Sequence, residues 1–295
     1  MLLQDDGKIV VVGHFFYIIT GPGTSVQRSC IARFNNDGTL DPSFDPGSGF
    51  EQGYPTTTAA HLVRQNLGAN SGNLIVQGNF SDYNGHGGHL VRLSAGGVFD
   101  NTFTPTSDYW FGIAGLFVQS DDQLLVFGDF YLFGDPMNYG IVRLDSSGAR
   151  DSGFNAGTFA DYGDSGTVSA VAGQADDQLI VAEYFHSLGG ATANNAARLA
   201  TNGSRDSSFG ATAAGSSAYY VKTVLVRPSD GQIFLGGYFS TYDGEPRNNI
   251  AWANQDDSLA GAFSGLGGVT DFQPQIYALA TQADGKVLVG GFFSS

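Results

Sequence analysis

Gln282-Ala-Asp-Gly-Lys-Val-Leu-Val-Gly-Gly-Phe-Phe293 decides the fold, because nearly the same stretch opens the chain as Gln4-Asp-Asp-Gly-Lys-Ile-Val-Val-Val-Gly-His-Phe15. Weaker copies lie between these two, and the phenylalanine that closes each copy is Phe15, Phe80, Phe130, Phe185, Phe239 or Phe293. Most of the steps between these phenylalanines are close to 54 residues. A repeat of that length is typical of propeller blades and solenoid coils.

Two further sequence markers recur along the chain with nearly the same spacing as the first. An arginine between small or apolar residues recurs as Arg33, Arg92, Arg143 and Arg198, and becomes Trp252 in the fifth copy. The pattern Gly-x-x-Asp-x-x-Phe contains Asp41, Asp100, Asp151 and Asp206, and its fifth copy is degenerate and ends at Phe263. Residues that every copy repeats serve construction, since a catalytic residue is needed once. We therefore interpret the arginines and aspartates as structural partners, and the phenylalanines as core between blades.

The fifth copy indicates the strands within one repeat. Residues 221–226 and 232–239 are rich in β-forming side chains, and the turn Pro228-Ser-Asp-Gly231 separates them. Asp243-Gly244 predicts a hairpin, and residues 249–252 a third strand. The other copies turn into a fourth strand that ends at the Asp-x-x-Phe marker. Four-stranded units repeated radially predict an all-β protein, a β-propeller of four-stranded blades. A parallel β-helix is the alternative, although its coils are shorter and need no hairpins.

The markers predict one β-propeller domain over residues 1–295, with five full repeats and a partial sixth. The predicted repeats are about 1–60, 61–113, 114–167, 168–220, 221–273 and the partial 274–295. Because the last strand is surplus to a closed ring of five blades, we favour a segment of a longer protein with a six- or seven-bladed ring. Five-bladed closure is the alternative. Exposed terminal strands would pair with neighbouring copies of the chain.

Composition excludes several partners. The formal net charge is −15, from 13 Lys and Arg against 28 Asp and Glu, so we expect no binding to nucleic acid or anionic membranes. No apolar run reaches about 18 residues, which predicts no membrane insertion. No signal peptide is visible in this stretch. The one cysteine, Cys30, is interpreted as a small core residue.

The repeat resembles the delta-60 repeat, also called the DUF5122 β-propeller repeat, of large bacterial proteins. Gln282 to Phe293, Asp5 to Phe15 and Ile31 to Phe44 match its consensus closely, and the likeness covers essentially the whole chain. The resemblance implies a propeller module of a large secreted or surface protein, hence an extracellular or cell-surface location. It brings no set of catalytic residues.

The connectors between repeats differ from one another and carry aromatic residues beside aspartates. In a propeller such connectors gather on one face around the axis, where a rigid scaffold presents them for binding. The predicted binding residues are Tyr54, Asp108, Tyr109, Trp110, Asp161, Tyr162, Tyr219, Tyr220, Asp271 and Phe272. Tyr and Trp beside Asp suit a sugar ring or a peptide. The alternative is that these aromatics fill gaps between blade tops.

We therefore predict a non-catalytic structural or binding module that contacts a protein or glycan through this loop face. A lectin with discrete sugar sites is the second hypothesis. A propeller glycoside hydrolase is the third, and it would need two converging carboxylates. The acidic residues that do not follow the repeat are Glu51, Asp108, Asp161, Asp164, Glu183 and Asp271.

No catalytic residue, cofactor or metal site is predicted, except for calcium at one loop. Asn35, Asp37 and Asp41 lie in an Asp- and Asn-rich turn that resembles calcium loops of some propellers. The other copies of this turn lack that ligand set. The alternative is therefore an ordinary Asx-type hairpin turn.

Overall fold

The structure is a computed structural model that describes residues 1–50, 58–105, 112–132, 135–161, 164–210, 213–214, 220–261 and 275–292. Its residues group into two compact units. Unit 1 comprises Met1–Phe111, Leu116–Leu125 and Arg143–Arg150, and unit 2 comprises Gly112–Gly115, Val126–Val142 and Asp151–Ser295. The assignment of a single domain, the number of blades in the ring and the pairing of terminal strands stay predictions.

Thirteen strands lie in the described part of residues 1–144. They are β1 (Leu2–Leu3), β2 (Ile9–Val12), β3 (Tyr17–Gly21), β4 (Thr24–Gln27), β5 (Ile31–Phe34), β6 (Thr58–Arg64), β7 (Leu74–Asn79), β8 (Asp82–Tyr83), β9 (His86–Gly87), β10 (Leu90–Leu93), β11 (Ile113–Val118), β12 (Leu124–Leu132) and β13 (Asp135–Leu144). A 3₁₀ turn at Gly68–Asn70 is the only helical element in the described part of the chain.

Fifteen more strands lie in the described part of residues 159–292. They are β14 (Phe159–Asp161), β15 (Asp164–Ser165), β16 (Thr167–Gly173), β17 (Leu179–Tyr184), β18 (Ser187–Leu188), β19 (Ala191–Thr192), β20 (Ala196–Leu199), β21 (Ala213–Ala214), β22 (Tyr220–Val226), β23 (Ile233–Tyr238), β24 (Thr241–Tyr242), β25 (Glu245–Pro246), β26 (Ile250–Ala253), β27 (Gln275–Thr281) and β28 (Val287–Phe292).

Each full repeat forms one main sheet of three strands in chain order. The sheets are β1-β2-β5, β6-β7-β10, β11-β12-β13, β16-β17-β20 and β22-β23-β26, and β27 pairs with β28. The predicted fourth strand is present in its shortest form, a single antiparallel bridge after the third strand. These bridges are Phe34 to Leu40, Leu93 to Phe99, Leu144 to Arg150, Leu199 to Arg205 and Ala253 to Leu259. The all-β blade repeat expected from the markers is therefore confirmed.

A short hairpin arm follows the second strand in several repeats. The arms are β3-β4, β8-β9, β18-β19 and β24-β25. Asp243 and Gly244, both with positive φ, form the turn of the last arm as predicted. The end of one repeat forms antiparallel strand pairs with the arm of the next repeat. In these pairs Phe159 lies opposite Leu188, and Ala213 lies opposite Tyr242.

The described marker phenylalanines lie in the core as predicted, except Phe15, which is half-buried. Phe263 and Phe293 lie outside the described residues. In unit 1, Phe44 and Phe80 pack in one buried cluster with strand residues of the first two repeats. In unit 2, Phe209 and Phe239 do the same for the fourth and fifth repeats. Cys30 is also buried in the cluster of unit 1, in agreement with its interpretation as a core residue.

Candidate functional site

The repeated arginine of the third strand joins one repeat to the next. Arg92 donates from Nε to Asp100 Oδ2 at 2.7 Å, and from Nη1 to the carbonyl oxygen of Ser146 in the following repeat at 2.6 Å. Its guanidinium lies 5.0 Å from the ring centroid of Phe103. The same contacts recur for Arg33 with Asp41, Ala95 and Phe44, and for Arg198 with Asp206, Gln255 and Phe209. The structural interpretation of the arginines and aspartates is thus confirmed for these three copies.

The aspartates of this contact set are held in their charged form. Burial alone would raise the pKa of Asp100, but hydrogen bonds from Thr102 and Arg92 outweigh it and lower the pKa below its usual value. For Asp206 the hydroxyl of Ser208 is the largest cause, and it also lowers the pKa. A carboxylate that accepts several hydrogen bonds and faces a cation keeps its charge, so these groups act in construction and are unsuited to proton transfer at neutral pH.

The hypothetical calcium loop uses its oxygens internally. Asp37 Oδ1 accepts bonds from the backbone N–H and hydroxyl of Thr39, at 2.9 and 2.6 Å. Asp41 Oδ2 accepts bonds from Lys8 Nζ and Arg33 Nε, at 2.9 and 2.8 Å. Calcium at Asn35, Asp37 and Asp41 stays a prediction, and it would require Asp41 to exchange two cationic partners for the ion.

The fifth repeat replaces the arginine and aspartate together. Trp252 stands at the arginine position, and Ala260 stands at the aspartate position. The backbone N–H of Ala260 donates to the carbonyl oxygen of Trp252, just as in three other repeats the backbone N–H of the aspartate donates to the carbonyl oxygen of its arginine. A guanidinium is nevertheless present, because Arg227 stands where other repeats have glutamine at the end of the first strand. The guanidinium carbon of Arg227, Cζ, lies 5.3 Å from the ring centroid of Phe234 and 5.5 Å from that of Trp252. Arg227 Nη1 donates to the carbonyl oxygen of Gly285 in the next repeat, at 3.1 Å.

Most of the predicted binding residues lie outside the described residues. These are Tyr54, Asp108, Tyr109, Trp110, Tyr162, Tyr219, Asp271 and Phe272. The two described ones belong to different sheets of unit 2. Asp161 ends β14, which pairs with the arm strand β18, whereas Tyr220 begins β22. The structure therefore does not bring Asp161 and Tyr220 together in one sheet.

Tyr220 lies beside a bulge that recurs at the start of the first strand of a repeat. In β22 the bulged residue is Lys222. No residue of β23 lies opposite it, because the register passes from the pair Val221–Gly237 directly to the pair Thr223–Gly236. Ser169 in β16 and Tyr277 in β27 occupy the same position. A bulge redirects one side chain of an edge strand. The position presents a different residue type in each of these three repeats, so it is a place where function can vary on a constant frame.

Glu183 also departs from the repeat, at the end of the second strand. Gly78, Gly128, Gly237 and Gly291 occupy this position in other repeats, and an added Cβ at each of them would collide with the carbonyl oxygen of the facing first strand. Glu183 accepts a bond from the hydroxyl of Thr167 at 3.0 Å and pairs with Lys222 Nζ of the next repeat at 3.0 Å. A single-copy carboxylate therefore replaces a residue that the backbone of four other repeats requires to be glycine.

Tyr220, Gln275 and Tyr277 continue this group into the last repeat. The hydroxyls of Tyr220 and Tyr277 donate to the same atom, Gln275 Oε1, at 2.6 and 2.7 Å. Burial is the main cause that raises the pKa of Tyr220, and the nearby Tyr277 and Glu183 add to it. The hydroxyl of Tyr220 therefore stays protonated and able to donate at neutral pH. We call Glu183, Tyr220, Lys222, Gln275 and Tyr277 the strand-end cluster.

Sequence reasoning identified one member of the strand-end cluster as a binding residue. Tyr220 was predicted from its connector, and Glu183 was recognised only as an acid outside the repeat pattern. Two further signals were available: Lys222 is one of three lysines in an acidic chain, and Glu183 stands at a glycine position. Lys222 and Tyr277 could not be matched as equivalent positions, because the bulge that aligns them arises from strand pairing.

The repeated blade sheets and their arginine contacts define a β-propeller repeat protein. The chain belongs to the family described as "Domain of unknown function (DUF5122) beta-propeller", whose model matches residues 4–44, 69–103, 119–154, 174–209 and 229–259. These segments make up more than half of the chain. The resemblance stated from the motifs is thereby confirmed. A search of curated proteins finds no match.

Two solved structures are similar to this chain at low sequence identity, and the first of them shares the fold. The extracellular domain of a protein described as a one-component system of B. thetaiotaomicron is 15% identical, with a TM-score of 0.52 over 96% of this chain and 31% of that chain. PorZ, a surface component of the type-IX secretion system of Porphyromonas gingivalis, is 10% identical, with a TM-score of 0.48 over 88% of this chain and 35% of that chain. This chain thus spans about a third of each of these two proteins. Among the described residues, no helix has the length and apolar character to cross a membrane.

Proposed function

We propose that the chain is a non-catalytic extracellular binding module of a larger protein, which contacts a glycan or protein partner through the strand-end cluster. The observation that carries the proposal is Glu183, because it replaces a glycine of the repeat and anchors Lys222 across two repeats. Residues that break a local rule of the fold are expected at functional sites. The extracellular domain of the B. thetaiotaomicron protein, which has the same fold, supports the location.

The chemistry of the cluster favours binding over catalysis. Glu183 faces the ammonium of Lys222 and the hydroxyl of Thr167. Glycoside hydrolysis instead needs two carboxyl groups that face each other across the scissile bond. Tyrosines beside amide, ammonium and carboxylate groups offer an apolar face with hydrogen-bond donors and acceptors, as binding surfaces commonly do.

A comparison of three proteins tests the proposal. The wild type, the double variant K222A/Y277A and the control Y17A are applied to a glycan array and to a pull-down of extracellular proteins from the source organism. Tyr17 is an exposed tyrosine of β3 in unit 1 and provides a matched loss of one aromatic ring. Circular dichroism verifies that all three proteins are folded.

We expect at least one glycan or protein to bind the wild type and Y17A, and to bind K222A/Y277A at least tenfold more weakly. A partner bound equally by K222A/Y277A would place the binding face elsewhere. Absence of any specific partner on both platforms would leave a purely structural role and overturn the proposal.

A further inference from the structure

We infer that the strand-end cluster binds one uncharged saccharide, with a sugar ring stacked on Tyr277; this inference rests on the proposed function. It assigns a ligand class to a single composite site built from three successive repeats. It differs from a lectin with one sugar site per blade, because the bulge position carries Ser169, Lys222 and Tyr277 in the three repeats and so cannot form three equal sites.

Tyr277 provides a fixed and accessible ring. The residue is 52% exposed, while its hydroxyl is held by Gln275 Oε1 at 2.7 Å. Gln275 is held in turn by the hydroxyl of Tyr220, whose own ring lies 6.2 Å from that of Tyr238. An aromatic face that is ordered before binding loses little freedom when an apolar ring face packs on it. The C–H face of a pyranose is such a surface.

The polar groups around that ring suit hydroxyl groups. Gln275 Oε1 accepts two phenolic hydrogen bonds, which leaves the donors of the side chain on Nε2. Lys222 Nζ adds ammonium donors, and Glu183 adds carboxylate acceptors, with the two groups 3.0 Å apart. A sugar hydroxyl both donates and accepts, so neighbouring hydroxyls of one ring match neighbouring donors and acceptors.

Charge indicates that the saccharide is neutral. Lys222, the cation of the cluster, is paired with Glu183, so this pair contributes no net charge to the site. The whole chain carries a formal charge of −15, which disfavours the approach of sulfated or uronate chains. In a site for an anionic ligand, we would expect the ammonium group to have no carboxylate partner, whereas Lys222 is paired with Glu183.

The strand geometry disfavours an extended peptide as the ligand. A peptide that adds to a sheet needs a regular edge with evenly available N–H and C=O groups. The first strands β16, β22 and β27 each have a bulge at the start, at the level of the cluster. Bulges are one of the devices that prevent edge pairing.

Titration calorimetry with purified hexasaccharides tests the inference. The uncharged probes are maltohexaose, cellohexaose, mannohexaose and xylohexaose, and the charged probes are a polygalacturonate hexamer and a heparin hexasaccharide. We expect at least one uncharged probe to bind, with a Kd that changes by less than twofold between 50 and 500 mM NaCl. Y277A should weaken this binding at least tenfold, Y277F by less than about threefold, and Y17A not measurably.

E183G gives a second readout, since glycine is the residue that the other repeats place there. The variant should remain folded and lose about tenfold in saccharide affinity, because Lys222 loses its anchor and the site loses its acceptors. Preference for a charged probe, or equal binding by Y277A, would overturn the inference.

The result also separates the inference from the proposed function. If no hexasaccharide binds, but a protein partner depends on Lys222 and Tyr277, the saccharide inference falls and the proposed function stands. If no hexasaccharide binds and no partner depends on these residues, both fall.

Discussion

At the scale of single residues, repetition separates construction from function. Arg92 and Asp100 have counterparts in other repeats and make contacts that hold neighbouring repeats together. Glu183 and Lys222 have no counterpart of the same type and bind each other across two repeats. A residue that occurs once on a repeated frame is not needed to build the frame, and this is the physical basis for placing the site there.

The exchange in the fifth repeat predicts compensation between three positions. W252R alone should destabilise unit 2, because it puts a second guanidinium beside Arg227 without a carboxylate partner. We expect W252R to lower the free energy of unfolding by about 1–3 kcal/mol. Adding A260D and R227Q restores the glutamine, arginine and aspartate of the other repeats, so the triple variant should recover most of this loss. Urea denaturation measures the free energy of unfolding. No recovery in the triple variant would mean that Trp252 has a role that the arginine contacts cannot replace.

The lowered pKa of Asp100 predicts a specific pH dependence of stability. The folded pKa lies below the value of about 3.9 in the unfolded chain, so the unfolded chain takes up protons first as the pH falls. The stabilisation is therefore present above about pH 4 and is lost as the pH falls through the folded pKa.

Urea denaturation at pH 7 and pH 3.5 measures this effect. D100N should be less stable than the wild type at pH 7, and the difference should shrink at pH 3.5. E245Q, which alters an exposed acid of β25, should follow the wild type. An unchanged difference at both pH values would contradict the assignment of Asp100.

At the scale of elements, the second strand and the phenylalanine of the Asp-x-x-Phe marker carry the packing between repeats. The central residues of β23 are buried, and Phe209 lies in the same core cluster of unit 2. The first strand has one edge without a partner in its main sheet, and the bulge at its start exposes one side chain. The second strand therefore supplies packing along its length, and the first strand supplies a variable position at one end.

Truncation of a marker phenylalanine should be costly. F209A should reduce the free energy of unfolding by about 3–5 kcal/mol, since the side chain is fully buried and the neighbouring strands cannot close the cavity. F292A, a matched truncation of an exposed phenylalanine of β28, should cost less than about 1 kcal/mol. Chemical denaturation of both variants measures the difference. Equal losses would show that Phe209 is not part of the packing between repeats.

At the scale of the whole molecule, charge governs solubility. The formal charge of −15 arises from few charged residues, which are 14% of the chain. Hydrogen bonds from arginines and hydroxyls lower the pKa of Asp100 and Asp206. As the pH falls, the net charge of the protein is therefore lost before these carboxylates are protonated and their contacts with the arginines break.

We therefore expect a solubility minimum near the calculated isoelectric point, 4.4, at which the protein is still folded. Turbidity should peak there and reverse when the pH returns to 7. Circular dichroism of the recovered protein should be native. Irreversible precipitation would indicate unfolding at that pH and contradict the expectation.

The amino-acid sequence by itself determined the repeat, the strand order and the buried phenylalanines, because these follow from local spacing that recurs along the chain. It also indicated that Arg92 and Asp100 act in construction, since repetition can be read without coordinates. Only the tertiary structure decided that the fourth strand is a single bridge, and that Lys222 reaches Glu183 while Tyr220 and Tyr277 share Gln275. These contacts join residues up to 55 positions apart, and strand pairing, with its bulge, sets which side chains meet. The final copy, Gln282 to Phe293, thus identified the family, whereas the candidate site lies at the ends of the strands that such copies form.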